Sequence, residues 1–170
     1  MEGLILKTCL INDKKYKIKN VRKIDHSKFT PLSEMLDKDV SGLDPEFLDG
    51  VLLMSYQDKI LMDYSYWDDI TDLWHYFINS IEELQTASKS YFTFPSQPLP
   101  VSIELNADRI KMTIDENSIN IDAKSFFAIM IQEAIDFFSR LKILFPRHEL
   151  EYSLALNRIE KIKAELGEKK

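Results

Sequence analysis

The chain predicts an α+β fold: a mostly antiparallel sheet of about six to eight strands, with two long helices and a C-terminal helix packed on one face. Three observations carry this. Short β-compatible runs are separated by tight turn signals such as Asn12-Asp13, Gln57-Asp58 and Asn106-Ala107-Asp108, which imply antiparallel pairing. Two long stretches, one beginning near Ser65 and one after Asp122, repeat apolar residues at helical spacing. The helices follow groups of strands instead of alternating strictly with them.

Taken in order, residues 4–11 and 16–21 flank the Asn12-Asp13 turn and predict a hairpin. Residues 25–49 hold Pro31, Gly42 and Pro45 among polar residues and predict a long connection with a short helix over 33–37. A second hairpin is expected from 51–56 and 59–64. Its first strand is nearly all apolar, which predicts burial on both faces. Ser65, with Asp68 three residues on, suggests a capped helix start. Trp67, Ile70, Trp74, Phe77, Ile81 and Leu84 then form one apolar stripe, and Asp68, Asp72, His75, Asn79 and Glu82 a polar one.

Residues 91–94 predict a short strand, and the run Pro95-Ser96-Gln97-Pro98-Leu99-Pro100 a loop, because proline cannot donate to a ladder. Residues 101–105, 109–114 and 118–121 predict a three-stranded meander. Asp122 caps the second long helix, whose apolar face is Phe127, Met130, Ile131, Ala134, Phe137, Phe138, Leu141 and Leu144. After Pro146, a last helix over 149–166 carries Leu150, Leu154, Ile159, Ile162 and Leu166. A length of 170 residues fits one domain, expected over 1–166, with 167–170 as a frayed tail.

An apolar content of 45 % with 29 % charge is ordinary for a globular chain. No apolar run approaches the roughly 18 residues that span a bilayer, and the N-terminus lacks a signal-peptide pattern. A cytoplasmic protein without membrane contact is therefore expected. Cys9 is the single cysteine and sits in an apolar stretch, so it is expected to be a buried small hydrophobe. Charge is uneven: residues 1–30 carry a net +5 and residues 31–72 a net −9. The acidic block repels phosphates and favours a basic partner; its plain alternative is a solvated face. The basic segment lacks an interleaved aromatic pattern, so no nucleic-acid partner is expected.

No catalytic signature is present. There is no Gly-x-Ser-x-Gly elbow, and four glycines leave no phosphate-cradling loop. Asp68, Asp72 and His75, with Asp63 near in sequence, place oxygen and nitrogen one turn apart on a helical face, yet no His-x₃-His or His-Glu-x-x-His zinc pattern occurs. The reading is a protein that is not an enzyme and needs no cofactor or metal. The dense run 63–76 holds four Asp, three Tyr, two Trp and one His. Trp67 and Trp74 lie on the apolar stripe and are expected in the core. Asp63, Tyr64, Tyr66, Asp68, Asp69, Asp72 and His75 are the candidate partner-binding residues, acids for charge and rings for cation–π contact.

The pattern Trp67-Asp68-x-Ile70-x-x-Leu73-Trp74, then Phe92, Phe94, Pro95, Gln97 and Pro98, then Phe137 and Phe138, resembles small immunity proteins of bacterial polymorphic toxin systems over about residues 50–145. The resemblance implies a cytoplasmic protein that binds one cognate toxin domain stoichiometrically, without a cofactor. A basic toxin domain occluded by the acidic, Tyr-rich surface is the leading expectation. The alternative is a small-molecule-binding or catalytic domain with a pocket between sheet and helices, using His75 or His148 beside a carboxylate. An oligomer subunit is a third.

Overall fold

The computed structural model describes residues 3–168. Nine strands and three α-helices are found among them: β1 (Leu4–Ile11), β2 (Phe29–Pro31), β3 (Asp49–Tyr56), β4 (Lys59–Met62), β5 (Asp68–Asp69), α1 (Ile70–Glu83), β6 (Lys89–Thr93), β7 (Pro100–Asn106), β8 (Arg109–Ile114), β9 (Asn117–Asp122), α2 (Ala123–Leu144) and α3 (Glu149–Glu168). All strand pairs are antiparallel, and the class is α+β.

The strands form two sheets rather than the single sheet expected. One runs β2-β1-β3-β4 with β5 pairing β3; the other runs β6-β7-β8-β9. The sheets abut at β4 and β9 through side chains: Lys59 Nζ donates to the Ser118 carbonyl at 2.6 Å. α1 separates the two strand groups in sequence, and no backbone ladder bridges them among the described residues.

β3 is buried on both faces over residues 50–52, as its apolar run predicted. Leu6, Leu10, Leu52 and Met54 enter the main core, whereas Cys9, Ile11, Phe29 and Val51 form a second cluster behind it. Tyr16, Ile18 and Ile24 cover that cluster. Residues 16–21 are therefore not a hairpin strand. Tyr16 and Ile18 lie over the face of the sheet while Val21 and the lysines are exposed, and β2 takes the ladder beside β1 with Thr30 opposite Leu10. The Tyr16 hydroxyl accepts the Asp25 N–H at 2.8 Å and fixes this return. In place of a helix over 33–37, single 3-10 turns occupy Leu32–Glu34 and Asp37–Val40.

The main core gathers Trp74 and Phe77 of α1 with Phe137 and Phe138 of α2. The Trp74 ring stacks on Phe137 with centroids 5.9 Å apart. Its indole N–H donates to Thr8 Oγ at 3.2 Å, so the largest buried side chain leaves no orphan donor. Cys9 is buried as expected, and burial pushes its thiol up to about 11. Gly50 sits where β1 and α1 converge: a Cβ there would lie 2.4 Å from the Cys9 carbonyl oxygen and 3.3 Å from Ile70.

α2 touches both sheets, and α3 packs on α2 and α1 as a further layer rather than on a sheet. α3 buries Tyr152, Ala155, Ile159 and Ile162. The face expected from Leu150 and Leu154 is wrong at its N-terminal end: these residues are 75 % and 61 % exposed. Tyr152 takes the inward place, with its ring between Phe138 and His148. Gly167 and Glu168, expected in a frayed tail, are helical; Lys169 and Lys170 lie outside the described residues. No helix among the described residues is long and apolar enough to cross a membrane.

Candidate functional site

The run 63–76 does not form one helix face. Asp63 caps a 3-10 turn at Tyr64–Tyr66, accepting the Ser65 N–H at 2.8 Å. The chain then extends, Asp68 and Asp69 pair with Gly50 and Asp49 of β3, and α1 starts only at Ile70. Its cap is Asp69, which accepts the Asp72 N–H at 3.0 Å. The capping signal Ser65-x-x-Asp68 is thus displaced by Asp69-x-x-Asp72 four residues on, where Asp68 and Asp69 pair with β3.

The largest correction concerns Asp68. It is fully buried rather than exposed. Its carboxylate accepts the Ser96 N–H at 2.9 and 3.0 Å, the Gln97 N–H at 3.1 Å and the Asp69 N–H at 2.7 Å. The Gln97 side chain returns the contact by donating to the carbonyls of Ser65 and Trp67. Asp68, Ser96 and Gln97 therefore lock the proline loop onto the approach to α1. Asp68 faces no partner.

The other candidates divide. Tyr64 is half-buried, stacked on His26 at 4.0 Å and edge-on to Phe29 at 5.1 Å. Tyr66 turns toward the second sheet, packing on Phe94 and accepting the Asn117 amide N–H at 3.1 Å. Asp63 is exposed beside a shallow hollow that Arg22, His26 and Tyr64 also line. Asp72 is exposed on α1, and His75 is half-buried with its ring 5.0 Å from Phe138. Burial holds the His75 imidazole below its ordinary value, against the pull of Asp72 and Glu151. Asp69 is half-buried, and burial pushes its carboxyl up to about 6.

The acidic block is also partly answered from within the chain. Lys17 stands close enough to Asp49 to oppose the upward shift that burial gives that carboxyl. Lys14 lies directly over Gly42, in the space a side chain there would fill; Gly42 has φ +83.

A different stripe combines acid and tyrosine on the surface. Asp72, Tyr76, Asn79 and Glu83 fall at i, i+4, i+7 and i+11 along α1. Tyr76 packs edge-on against Phe92 of β6 at 5.7 Å. A groove of about 360 Å³ between α1 and β6 is lined by Tyr76, Asn79, Glu83 and Tyr91, among others. It adjoins a cleft of about 480 Å³ that shares Asn79 and Glu83 and adds Glu82, Glu165 and Glu168. The sequence carried this stripe as spacing, but a helix started at Ser65 put Asp68 and Glu82 into the polar line.

An open cleft of about 510 Å³ between β1 and α2 is lined by Lys7, Thr8, Glu133, Asp136 and Arg140, among others. Its lining includes no histidine. His148 stands elsewhere, 3.7 Å from Glu151. Among the described residues no three His, Cys, Asp or Glu side chains are grouped as metal ligands would be. Comparison with protein-family models, curated proteins and solved structures finds no match.

Proposed function

We propose that this chain is a protein-binding module that captures a basic protein partner and occludes it, in the manner of an immunity protein bound to its toxin. The observation that carries this is the α1 stripe of exposed Asp72, Asn79 and Glu83 with half-buried Tyr76, beside exposed Tyr91 and continuous with the cleft that holds Glu165, Glu168 and the Arg158-paired Glu82. Clustered carboxylates raise the encounter rate with a cationic surface, and tyrosines give contact area at low entropic cost. The proposed binding surface thus moves from the 63–75 run to the outer flank of α1, with Asp72 common to both. A bound basic domain would have its cationic groove filled by this flank.

The test recovers the partner with the tagged chain at low and high salt, then measures association with the purified pair. Asp72→Lys, Glu165→Lys and Glu168→Lys together are expected to slow association by at least about tenfold and to flatten its salt dependence. Association unchanged in rate and in salt slope would refute the surface.

A further inference from the structure

We infer that the partner is gripped by its backbone: a basic, extended segment adds as a fifth strand to the open edge of β6. This rests on the reading above and supplies its binding mode.

β6 is the terminal strand of its sheet. The opposite terminal strand, β9, is covered: Lys59 donates to the Ser118 carbonyl and Asn117 to the Tyr66 hydroxyl. On the β7 side, the Ser88 carbonyl accepts the Leu105 N–H at 2.8 Å, and the Phe94 N–H donates to Leu99 at 3.0 Å. The register between these bonds runs unbroken from Lys89↔Glu104 to Thr93↔Pro100. Bonding pairs alternate along an antiparallel ladder, so Ser88, Ser90, Phe92 and Phe94 face β7. Lys89, Tyr91 and Thr93 therefore turn their N–H and C=O outward, and no backbone group among the described residues meets them.

The usual protections of an edge are absent from this strand. β6 contains no proline and no bulge. Its one lysine, Lys89, is tied across the sheet to Glu104 at 2.9 Å instead of standing over the edge. The space alongside is the open groove between α1 and β6. An added strand projects alternate side chains to opposite faces. Those directed inward meet Tyr76, Asn79 and Glu83, which also accepts the Ser90 hydroxyl at 2.6 Å, with Glu165, Glu168 and the Arg158-paired Glu82 beyond. Lysine or arginine at alternate positions matches that acidic wall, which selects a basic segment.

The test uses the isotope-labelled full chain and the acetylated peptide Lys-Val-Lys-Thr-Lys-Val as probe, with hydrogen exchange read by NMR. With the probe at about ten times its Kd, protection of the Lys89, Tyr91 and Thr93 amides is expected to rise about tenfold, while Ser90 and Phe92 stay unchanged. N-methylation of alternate probe amides, or Tyr91→Pro, is expected to weaken binding at least tenfold. Proline at 91 removes an outward donor and spares the bonds to β7. If Tyr91→Pro does not fold, the N-methylated probe decides. Binding that leaves the outward amides unprotected, or that tolerates N-methylation, overturns strand addition and leaves the basic-partner reading standing. Equal affinity for Glu-Val-Glu-Thr-Glu-Val overturns the basic-partner reading as well. No binding at about 1 mM probe, or self-association that protects the same amides without probe, also overturns the proposal.

Discussion

Asp68 and Ser96 are 28 positions apart in the chain, yet both carboxylate oxygens of the first accept the backbone N–H of the second. A buried carboxylate holding several amide donors is a costly group to disturb, because each donor left unmet carries its own desolvation penalty.

Asp68→Ala is therefore expected to destabilise the fold by about 2–4 kcal/mol, and Asp68→Asn by less, since the amide oxygen still accepts. Urea denaturation of the variants measures this. A stability within about 0.5 kcal/mol of the parent for Asp68→Ala would show that the lock is unimportant.

Trp74 and Thr8 join α1 to the centre of β1. Thr8→Val keeps the shape but strands the indole donor, and should cost about 1–2 kcal/mol. Trp74→Phe removes donor and volume together and should cost about 2–3 kcal/mol. The double variant should lose less than the sum, since the orphaned donor is gone; a double-mutant cycle reads the difference.

Asp69 gives the fold a pH dependence of definite sign. Its carboxyl is raised from 3.8 to about 6 in the folded chain, so the folded state holds the proton more tightly. The stabilisation is fully present below about pH 4 and is lost as pH rises through about 6. Asp69→Asn keeps an N-cap acceptor and removes the burial cost. At pH 7.5 it should stabilise by about 1 kcal/mol, after discounting for water that reaches this half-buried group. Melting curves of both proteins at pH 4 and 7.5 should converge at the lower value.

His75 has the opposite sign. Burial lowers its folded value below the ordinary 6.5, so its contribution is present above that value and lost as pH falls through the folded one. Asp72→Asn removes a charge that holds the value up, and should lower it further. An NMR titration placing His75 above 6.5 would contradict the burial.

The elements legible in the sequence are those whose signals are local. Asp122 caps α2 through the Ser125 N–H, and the turns at Gln57, Asp58, Ala107 and Asp115 adopt the positive φ that tight hairpins require. The meander and the two-sided burial of β3 follow from such signals. What escaped depends on distant partners. Asp68 looks like any first-turn acid until Ser96 and Gln97 arrive beside it. Residues 16–21 alternate as a strand does, but whether they enter the ladder or lie across it is decided by Phe29 and Asp25. In α3, Leu150 and Leu154 outweigh Tyr152 in hydropathy, yet the space beside Phe138 suits an aromatic ring. Of the seven predicted site residues, the structure buries Asp68, turns Tyr64 and Tyr66 to different neighbours and uses Asp63 and Asp69 as caps. Only Asp72 passes unchanged to the proposed surface.

The return of residues 12–28 over the back of the first sheet has an electrical consequence. Lys17 is set down close enough to Asp49 to act on its carboxyl, and Arg22 lines the same hollow as Asp63, so part of the basic segment faces part of the acidic one. Charge that runs as two opposed blocks along the chain is thereby brought side by side on one face of the molecule.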